Sequence, residues 1–204
     1  MAHIALVGAT GNLGRPILEE ALQRGHQVTA VTRDQGKLGS RAGLTVAKAD
    51  THEPAGLAAV LAGHDVIVVS VKWTENDVGE VIDAVRRSGV RRALFVVGAG
   101  SLLREDGRTH FAHMEEKGTP PPTSKPAMQA LDVIREVTDF DWTAISPSAS
   151  IPAGERTGKF RLDTDRLIVA PDGVSTISRQ DFAIAIVDEI ETPRHVRQRF
   201  TAGY

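Results

Sequence analysis

The chain has 204 residues, 41% of them apolar and 25% charged, a composition typical of one globular domain and unlike that of disordered or fibrous proteins. Its 24 Lys and Arg residues against 26 Asp and Glu give a net charge of -2, which disfavours a nucleic-acid partner, and the absence of cysteine excludes disulfides, thiolate metal sites and cysteine nucleophiles. No apolar run approaches the roughly 18 residues that a membrane-spanning helix needs, and no basic flank or cleavage site marks a signal peptide, so we expect a cytoplasmic protein with no membrane partner.

Short apolar runs alternate with segments of helical periodicity along most of the chain. The predicted strands are residues 4–7, 27–32, 44–47, 66–69, 93–97 and 142–145. The predicted helices between them are residues 12–24, 53–62, 76–88 and 124–138. This alternation predicts a parallel sheet, and runs without polar alternation indicate that helices cover both of its faces. The expected fold class is therefore α/β, a Rossmann-type doubly wound parallel sheet that forms a single domain over residues 1–204.

Two later segments, about 99–125 and 148–178, are expected to lie on the substrate side of this domain. Residues 99–124 contain several glycines and a run of three prolines, so we predict a long loop without a helix, either a binding loop or a solvated insertion. Beyond them, residues 154–169 predict a short irregular hairpin. Ser178 and Asp181 predict a capping box that opens a last helix, and residues 197–202 predict an edge strand. These elements form a small C-terminal extension of the same domain.

A glycine-rich turn, GATGNLG at residues 8–14, stands directly between the first strand and the first helix. Glycine in this position permits a tight turn and a close approach of the backbone to a pyrophosphate, and the helix N-terminus attracts the anion. The turn therefore predicts a dinucleotide site. The expected cofactor contacts within it are Gly8, Thr10, Gly11, Asn12, Leu13 and Gly14.

The residues after the second strand decide between NAD and NADP. Thr32 is followed there by Arg33 and Asp34. A guanidinium group pairs with the 2'-phosphate of NADP through a bidentate fork, and Lys37 adds positive charge nearby, so we predict that NADP(H) is preferred over NAD(H). The alternative is that Arg33 only ends the strand and that Asp34 binds the ribose of NAD.

Ligands of doubly wound sheets bind beyond the carboxyl ends of the strands, which adds a second group of expected cofactor contacts. Each of these residues also suits an ordinary turn. They are Asp50, Thr51, Ser70, Val71, Lys72 and Gly98.

The motifs together resemble a known family. The GATGNLG turn, the Thr-Arg-Asp sequence at 32–34 and Asp50 resemble the atypical short-chain dehydrogenase/reductases of the NmrA-like, NAD(P)-binding type. The segments 141–147 (DWTAISP), 154–158 (GERTG) and 177–183 (ISRQDFA) are similar to the subgroup described as NADH-flavin reductases. The resemblance spans nearly the whole chain and implies a Rossmann fold, an NAD(P)H cofactor and flavin as a possible substrate.

The chain departs from the wider superfamily at its catalytic pair, a Tyr and a Lys four residues later on the helix before the sixth strand. Those positions fall near Ser124 and Met128, or Lys125 and Gln129, and the only tyrosine is Tyr204. Ordinary alcohol dehydrogenation is disfavoured, because it needs a phenol to protonate the carbonyl oxygen. Hydride transfer to a flavin or a quinone needs mainly positioning, so we predict an NAD(P)H-dependent reductase of such an acceptor, a small-molecule substrate.

The expected catalytic residues are Ser101, as a hydrogen-bond donor, and His113, as a proton donor near neutral pH. Trp73 is expected to stack on a flat substrate. Each of these has a structural alternative, since Trp73 also suits the end of a sheet and a loop histidine is commonly solvated. The rest of the expected substrate pocket is Phe111, Pro147, Ser148 and, beside them, His110.

Other functions fit the sequence less well. His110, His113 and Glu116 lack a further strong ligand, so we predict no metal site, and the surroundings of Ser101 do not match a hydrolase nucleophile elbow. The main alternative is a non-catalytic NADP(H) sensor or regulatory protein, which also needs no Tyr and Lys. An isomerase that uses bound NADP is a third hypothesis.

Overall fold

Eight strands and six helices are found in the computed structural model, which describes all residues from 1 to 204. The strands are β1 His3–Val7, β2 Gln27–Thr32, β3 Leu44–Lys48, β4 Val66–Val69, β5 Arg92–Val96, β6 Asp141–Ser146, β7 Arg161–Asp163 and β8 Gln198–Gly203. The helices are α1 Gly14–Gln23, α2 Pro54–Leu61, α3 Val78–Ser88, α4 His110–Glu116, α5 Ser124–Arg135 and α6 Arg179–Glu191.

All eight strands belong to one sheet, in the order β3-β2-β1-β4-β5-β6-β8-β7. Every neighbouring pair is parallel except β7 with β8. The order reverses between β1 and β4, and Val7 at the end of β1 is level with Val31 of β2 and Val69 of β4. The predicted doubly wound α/β fold is therefore confirmed, and a switch point for ligand binding lies beyond Val7.

Helices cover both faces of the sheet and divide the core in two. Phe95 is fully buried in the half that also contains buried residues of α2, α3 and α5. Phe182 is fully buried in the half between the sheet, α1 and α6. The four residues of β4, Val-Ile-Val-Val, are all buried because their side chains enter both halves alternately. None of the six helices has the length and apolarity needed to cross a membrane.

The prediction that residues 99–124 contain no helix is wrong. Helix α4 runs through the middle of this segment, and the Thr109 hydroxyl caps it by accepting a hydrogen bond from the Ala112 amide at 3.1 Å. The amides of His110 and Phe111 donate to the carbonyls of Leu102 and Gly100, both at 2.8 Å. The short helix is thus held by tertiary contacts, which local periodicity does not reveal.

The predicted C-terminal elements need two corrections. Residues 154–169 do not form a hairpin, because β7 within them pairs with β8 instead. The strand predicted at 197–202 exists as β8 but is internal, since β7 lies beyond it as the edge strand.

The predicted capping box at the start of α6 is only half present. Ser178 caps the helix by accepting from the Asp181 amide at 3.0 Å. The Asp181 carboxylate does not return to the Ser178 amide, because it accepts hydrogen bonds from Thr157, Gly158 and Tyr204.

Candidate functional site

A cleft of about 700 Å³ opens at the carboxyl ends of β1, β4, β5 and β6, where the strand order reverses. It is lined by the turn after each of these strands, by the start of α4 and α5, and by the first residue of α6. Its position and size suit a small organic ligand. The expected residues that line it are Gly11, Asn12, Leu13, Ser70, Val71, Lys72, Trp73, Gly98, His110, Pro147 and Ser148.

Two glycines of the turn at one end of the cleft leave no room for a side chain. A Cβ atom on Gly14 would lie 2.0 Å from the Gly8 carbonyl oxygen, so α1 packs directly against the turn. Gly8 has a φ of +83°, and a Cβ atom there would lie 2.2 Å from the Ser70 carbonyl oxygen. These two positions therefore require glycine, and they bring the start of α1 close to the end of β4.

The start of α1 offers unused hydrogen-bond donors to the cleft. The Gly11 amide donates to the Gly8 carbonyl at 3.0 Å, whereas the amides of Asn12 and Leu13 have no acceptor within the protein. Both residues line the cleft. Free amides at a helix N-terminus, together with the helix dipole, form a site for a phosphate group. The glycine turn therefore fits the pyrophosphate of a dinucleotide.

Arg33, at the end of β2, is exposed and forms no ion pair or hydrogen bond within the protein. Asp34 is engaged in local structure, since its Oδ1 accepts from the Gly36 amide at 3.1 Å and its Oδ2 lies 3.7 Å from the Lys37 Nζ. The guanidinium group of Arg33 is consequently free to bind an anion, whereas the Asp34 carboxylate stabilises the turn that follows β2.

The turn after β3 contributes local contacts and does not line the cleft. The Asp50 carboxylate accepts from the His52 amide at 3.1 Å, and the Thr51 hydroxyl donates to the Asn76 side chain. Thr10 lies on the outer side of the glycine turn and lines a neighbouring cavity rather than the cleft.

Trp73 forms a side wall of the cleft next to the β4 turn. Its indole nitrogen donates to the Val96 carbonyl at 2.8 Å, which fixes the ring across the end of β5. At the far side, the Ser148 hydroxyl is buried and donates to the Ala202 carbonyl at 2.9 Å, so it is not free for a ligand. Trp73 and Pro147 both line the cleft and contribute weakly polar surface to it.

His110, the first residue of α4, is the only histidine that lines the cleft. Its Nδ1 is buried and has no hydrogen-bond partner. Burial lowers the pKa of His110 below its ordinary value, and the positive charges of Arg104 and His113 lower the pKa further. The imidazole is therefore neutral near pH 7 and keeps one N–H donor. From the sequence, His110 is predicted in the substrate pocket, whereas His113 is predicted as the proton donor.

The two residues expected to be catalytic do not line the cleft. The Ser101 hydroxyl accepts from the Arg199 Nη1 at 2.7 Å, and Arg199, which is buried, also bonds Asp165. This hydrogen bond connects the loop after β5 to β8. His113 lines a separate cavity with Arg104, Arg108 and Arg161.

Phe111, expected in the substrate pocket, is buried beneath α5 instead. The Lys125 Nζ lies 5.1 Å from the centre of its ring, a cation–π contact. The next residue after His110 therefore points into the core while His110 itself faces the cleft.

One polar residue of the cleft, Arg179, is not predicted from the sequence. Arg179, the first residue of α6, donates from Nε to the Ile151 carbonyl at 3.1 Å and lines the cleft with its guanidinium group. Ser124, at the start of α5, also lines the cleft. No group of three or more His, Asp and Glu side chains is arranged to hold a metal ion.

The sequence profile of a family described as NAD(P)H-binding matches residues 8–193. Three solved structures share the fold over nearly their whole length. A protein from Burkholderia pseudomallei described as a proposed exported protein is 40% identical, with a TM-score of 0.87 and coverage of 100% of both chains. A proposed epimerase from Bacteroides thetaiotaomicron is 36% identical, with a TM-score of 0.89 and coverage of 99% of this chain and 96% of that chain.

The third structure is a proposed NADH-flavin reductase from Streptococcus pneumoniae, which is 28% identical, with a TM-score of 0.83 and coverage of 100% of this chain and 99% of that chain. The resemblance that the sequence motifs indicated is thus confirmed. The chain belongs to the NAD(P)H-binding family of Rossmann-fold proteins, whose profile begins at its glycine turn.

Proposed function

We propose that this chain catalyses the reduction of a flat, conjugated acceptor, a flavin or a quinone, by NADPH. The observation that carries the proposal is the composition of the cleft: free amides for a pyrophosphate at one end, and apolar residues with one imidazole and the Arg179 side chain at the other. A family described as NAD(P)H-binding and a structural relative described as a proposed NADH-flavin reductase support it.

Three groups of the chain would hold the cofactor. The amides of Asn12 and Leu13 meet the pyrophosphate, and the shape of the glycine turn lets it approach the backbone. The unpaired guanidinium group of Arg33 binds the 2'-phosphate, which favours NADPH over NADH. This assignment rests on the contrast with Asp34, whose carboxylate is already occupied by the Gly36 amide and by Lys37.

Bound NADPH would supply the hydride, and the residues of the cleft would position the acceptor to receive it. Trp73 and Pro147 flank the space beyond Gly98, and their faces suit a planar ring better than a flexible alcohol. An acceptor of this kind is already electrophilic, and its reduced anion is delocalised, so correct placement is the main requirement. The chain's one tyrosine does not line the cleft, which is consistent with a reaction that needs no catalytic phenol.

His110 is the proposed hydrogen-bond donor to the acceptor. As hydride reaches the ring, negative charge develops on an oxygen or nitrogen of the conjugated system, and one proton completes the two-electron reduction. The neutral imidazole donates a hydrogen bond to that atom from the cleft wall, and the proton that completes the reduction comes from solvent. Ser101 has no direct role in this proposal, because its hydroxyl is bound by Arg199.

The decisive experiment follows NADPH oxidation by its absorbance with FMN, riboflavin and a set of quinones, beside a titration of NADPH binding. We expect NADPH binding together with acceptor-dependent oxidation. Binding of NADPH and NADP⁺ without oxidation by any acceptor would instead favour the sensor, which also needs no tyrosine. Conversion of a substrate without net NADPH consumption would favour isomerisation, the kind of activity for which the Bacteroides relative is named.

A further inference from the structure

A second cavity, of about 520 Å³, lies along the outer side of α1. Residues Arg15, Glu19 and Glu20 of the helix form one wall, and Arg156, Arg179 and Gln180 form the other. We call it the arginine cavity. Gly11, Asn12 and Arg179 line both this cavity and the cleft, so the two spaces adjoin beside the glycine turn.

The two glutamates of the arginine cavity are already neutralised by ion pairs. Both carboxylate oxygens of Glu19 accept from Arg41, at 2.6 and 2.8 Å. Glu20 is buried and accepts from Arg24 at 2.7 Å and from Arg156 at 2.7 and 2.8 Å. Neither glutamate forms an ion pair with Arg15 or Arg179, although the charge of Arg15 contributes to lowering the pKa of Glu19.

Two arginines remain without a carboxylate partner. Arg15 forms no hydrogen bond or ion pair within the protein, and Arg179 donates only from Nε, to the Ile151 carbonyl. Arg156 is fixed against Glu20 by its Nε and Nη2, which leaves Nη1 for another acceptor. The cavity thus presents guanidinium donors to any ligand that enters from the cleft. Guanidinium groups recognise phosphate and carboxylate through paired hydrogen bonds.

We propose that the arginine cavity binds an anionic arm, a phosphate or a carboxylate, on the acceptor whose ring system occupies the cleft. This inference rests on the proposed reductase function and narrows its substrate to acceptors that carry such an arm. Arg179 stands at the passage between the two spaces, next to Ile151 at the substrate end of the cleft. An acceptor can therefore extend past Arg179 toward Arg15 and Arg156.

The 2'-phosphate of NADP is a second possible source of the same anion chemistry. Arg33, the residue that suits this phosphate, does not line the arginine cavity, and the cavity walls come from α1, α6 and the segment around Arg156. The 2'-phosphate is therefore assigned to the end of β2 and the acceptor arm to the arginine cavity.

FMN and riboflavin test the proposal, because they share one ring system and differ only in a phosphate. Their binding to the protein saturated with NADP⁺ is measured by flavin fluorescence, which requires no turnover. We expect FMN to bind more tightly than riboflavin. The Arg15→Gln variant should weaken FMN binding by about tenfold, as for the loss of a charge-assisted hydrogen bond, and leave riboflavin binding unchanged. Arg91→Gln, at an exposed arginine outside both cavities, is the matched control.

Equal affinity for the two flavins, binding of neither flavin, or unchanged FMN binding in Arg15→Gln would overturn the proposal. A loss of NADPH affinity relative to NADH in Arg15→Gln, with FMN binding unchanged, would also overturn it and assign the cavity to the cofactor. Arg15-dependent selection of FMN without NADPH oxidation would support the anion site and reject the reductase. Oxidation with equal KM values for both flavins would support the reductase and reject the anion site.

Discussion

The phenolic hydroxyl of Tyr204 donates to the Asp181 carboxylate at 2.8 Å and accepts from the Ser178 amide at 3.1 Å. The same carboxylate accepts from the amides of Thr157 and Gly158 at 2.7 and 2.9 Å. The chain's one tyrosine thus joins the residue after β8 to the start of α6, and Asp181 joins α6 to the segment before β7. The role of the tyrosine is structural, and the network fixes the segment that leads to Arg156 and the arginine cavity.

Tyr204→Phe removes the hydroxyl while keeping the ring. We expect a loss of about 1–3 kcal/mol in the free energy of unfolding, because the carboxylate loses one donor and the Ser178 amide loses its acceptor. Urea denaturation measures the loss. NADPH affinity, measured in parallel, should not change, and a large drop in affinity would instead place the tyrosine in the cofactor site.

Asp181→Asn tests the pH dependence of the same network. Burial acts to raise the pKa of Asp181, but the hydrogen bonds from Thr157, Gly158 and Tyr204 outweigh it, so the folded-state pKa lies below the ordinary value. The unfolded chain therefore binds the proton first as pH falls. The stability that this group contributes is complete above the unfolded pKa, about 3.9, and is lost as pH falls through the folded value.

We therefore expect Asp181→Asn to be less stable than the original protein at pH 7, with the difference shrinking below about pH 4. Denaturant midpoints at several pH values measure it. A difference that stays constant down to the acid transition would mean that the network does not depend on the charge of Asp181.

The parts of the fold that sequence predicted are those encoded by neighbouring residues. Val66 to Val69 indicates a buried strand by itself, and the turn from Gly8 to Gly14 specifies both its geometry and its position before α1. The order of the first six strands then follows from right-handed crossovers and the glycine turn. This is why the doubly wound sheet was predictable.

The remaining features depend on contacts outside the local sequence pattern, some of them between residues far apart in the chain. Helix α4 is short and is held by the carbonyls of Gly100 and Leu102, and β8 is internal only because β7 returns to pair with it. His110 and His113 look alike in sequence, yet one faces the cleft and the other a different cavity. Ser101 is a reasonable catalytic candidate from sequence alone, but its hydroxyl is bound by Arg199, which lies 98 residues later in the chain.

Gly14→Ala tests the tight packing of α1 on the glycine turn. The added methyl group would lie 2.0 Å from the Gly8 carbonyl oxygen, so the helix must move away. We expect about 1–3 kcal/mol of destabilisation and NADPH binding weakened by at least about tenfold. Gly39→Ala is the matched control, because no atom lies within 4 Å of the added group. Equal NADPH affinity in the two variants would contradict the proposed position of the pyrophosphate.

Arg33→Gln tests the choice of cofactor. Removal of a guanidinium group from a phosphate costs about 1.5–3 kcal/mol, so we expect the Kd for NADPH to rise roughly tenfold to a hundredfold. The Kd for NADH should remain as before, because NADH lacks the 2'-phosphate. Isothermal titration with both cofactors makes the comparison, with Arg91→Gln as the control for loss of an exposed charge. A parallel loss of affinity for both cofactors would show that Arg33 does not select between them.

His110→Gln tests the proposed hydrogen-bond donor. We expect kcat for a quinone acceptor to fall by about tenfold to a hundredfold, below the upper range for general acids because the acceptor is already electrophilic. NADPH affinity should stay the same. His113→Gln is the matched control, since His113 lies on the same helix but lines a different cavity.

The pH profile provides an independent readout of the same residue. Because burial first, and then Arg104 and His113, lower the pKa of His110, the imidazole remains neutral above its ordinary value of about 6.5. The original protein should therefore keep a constant kcat from about pH 7 upward and change only at lower pH, where His110 takes up a proton. His110→Gln should lack that change while His113→Gln retains it. If His113→Gln lowers kcat and removes the change instead, the proton donor acts from the other cavity and the proposed reaction centre is wrong.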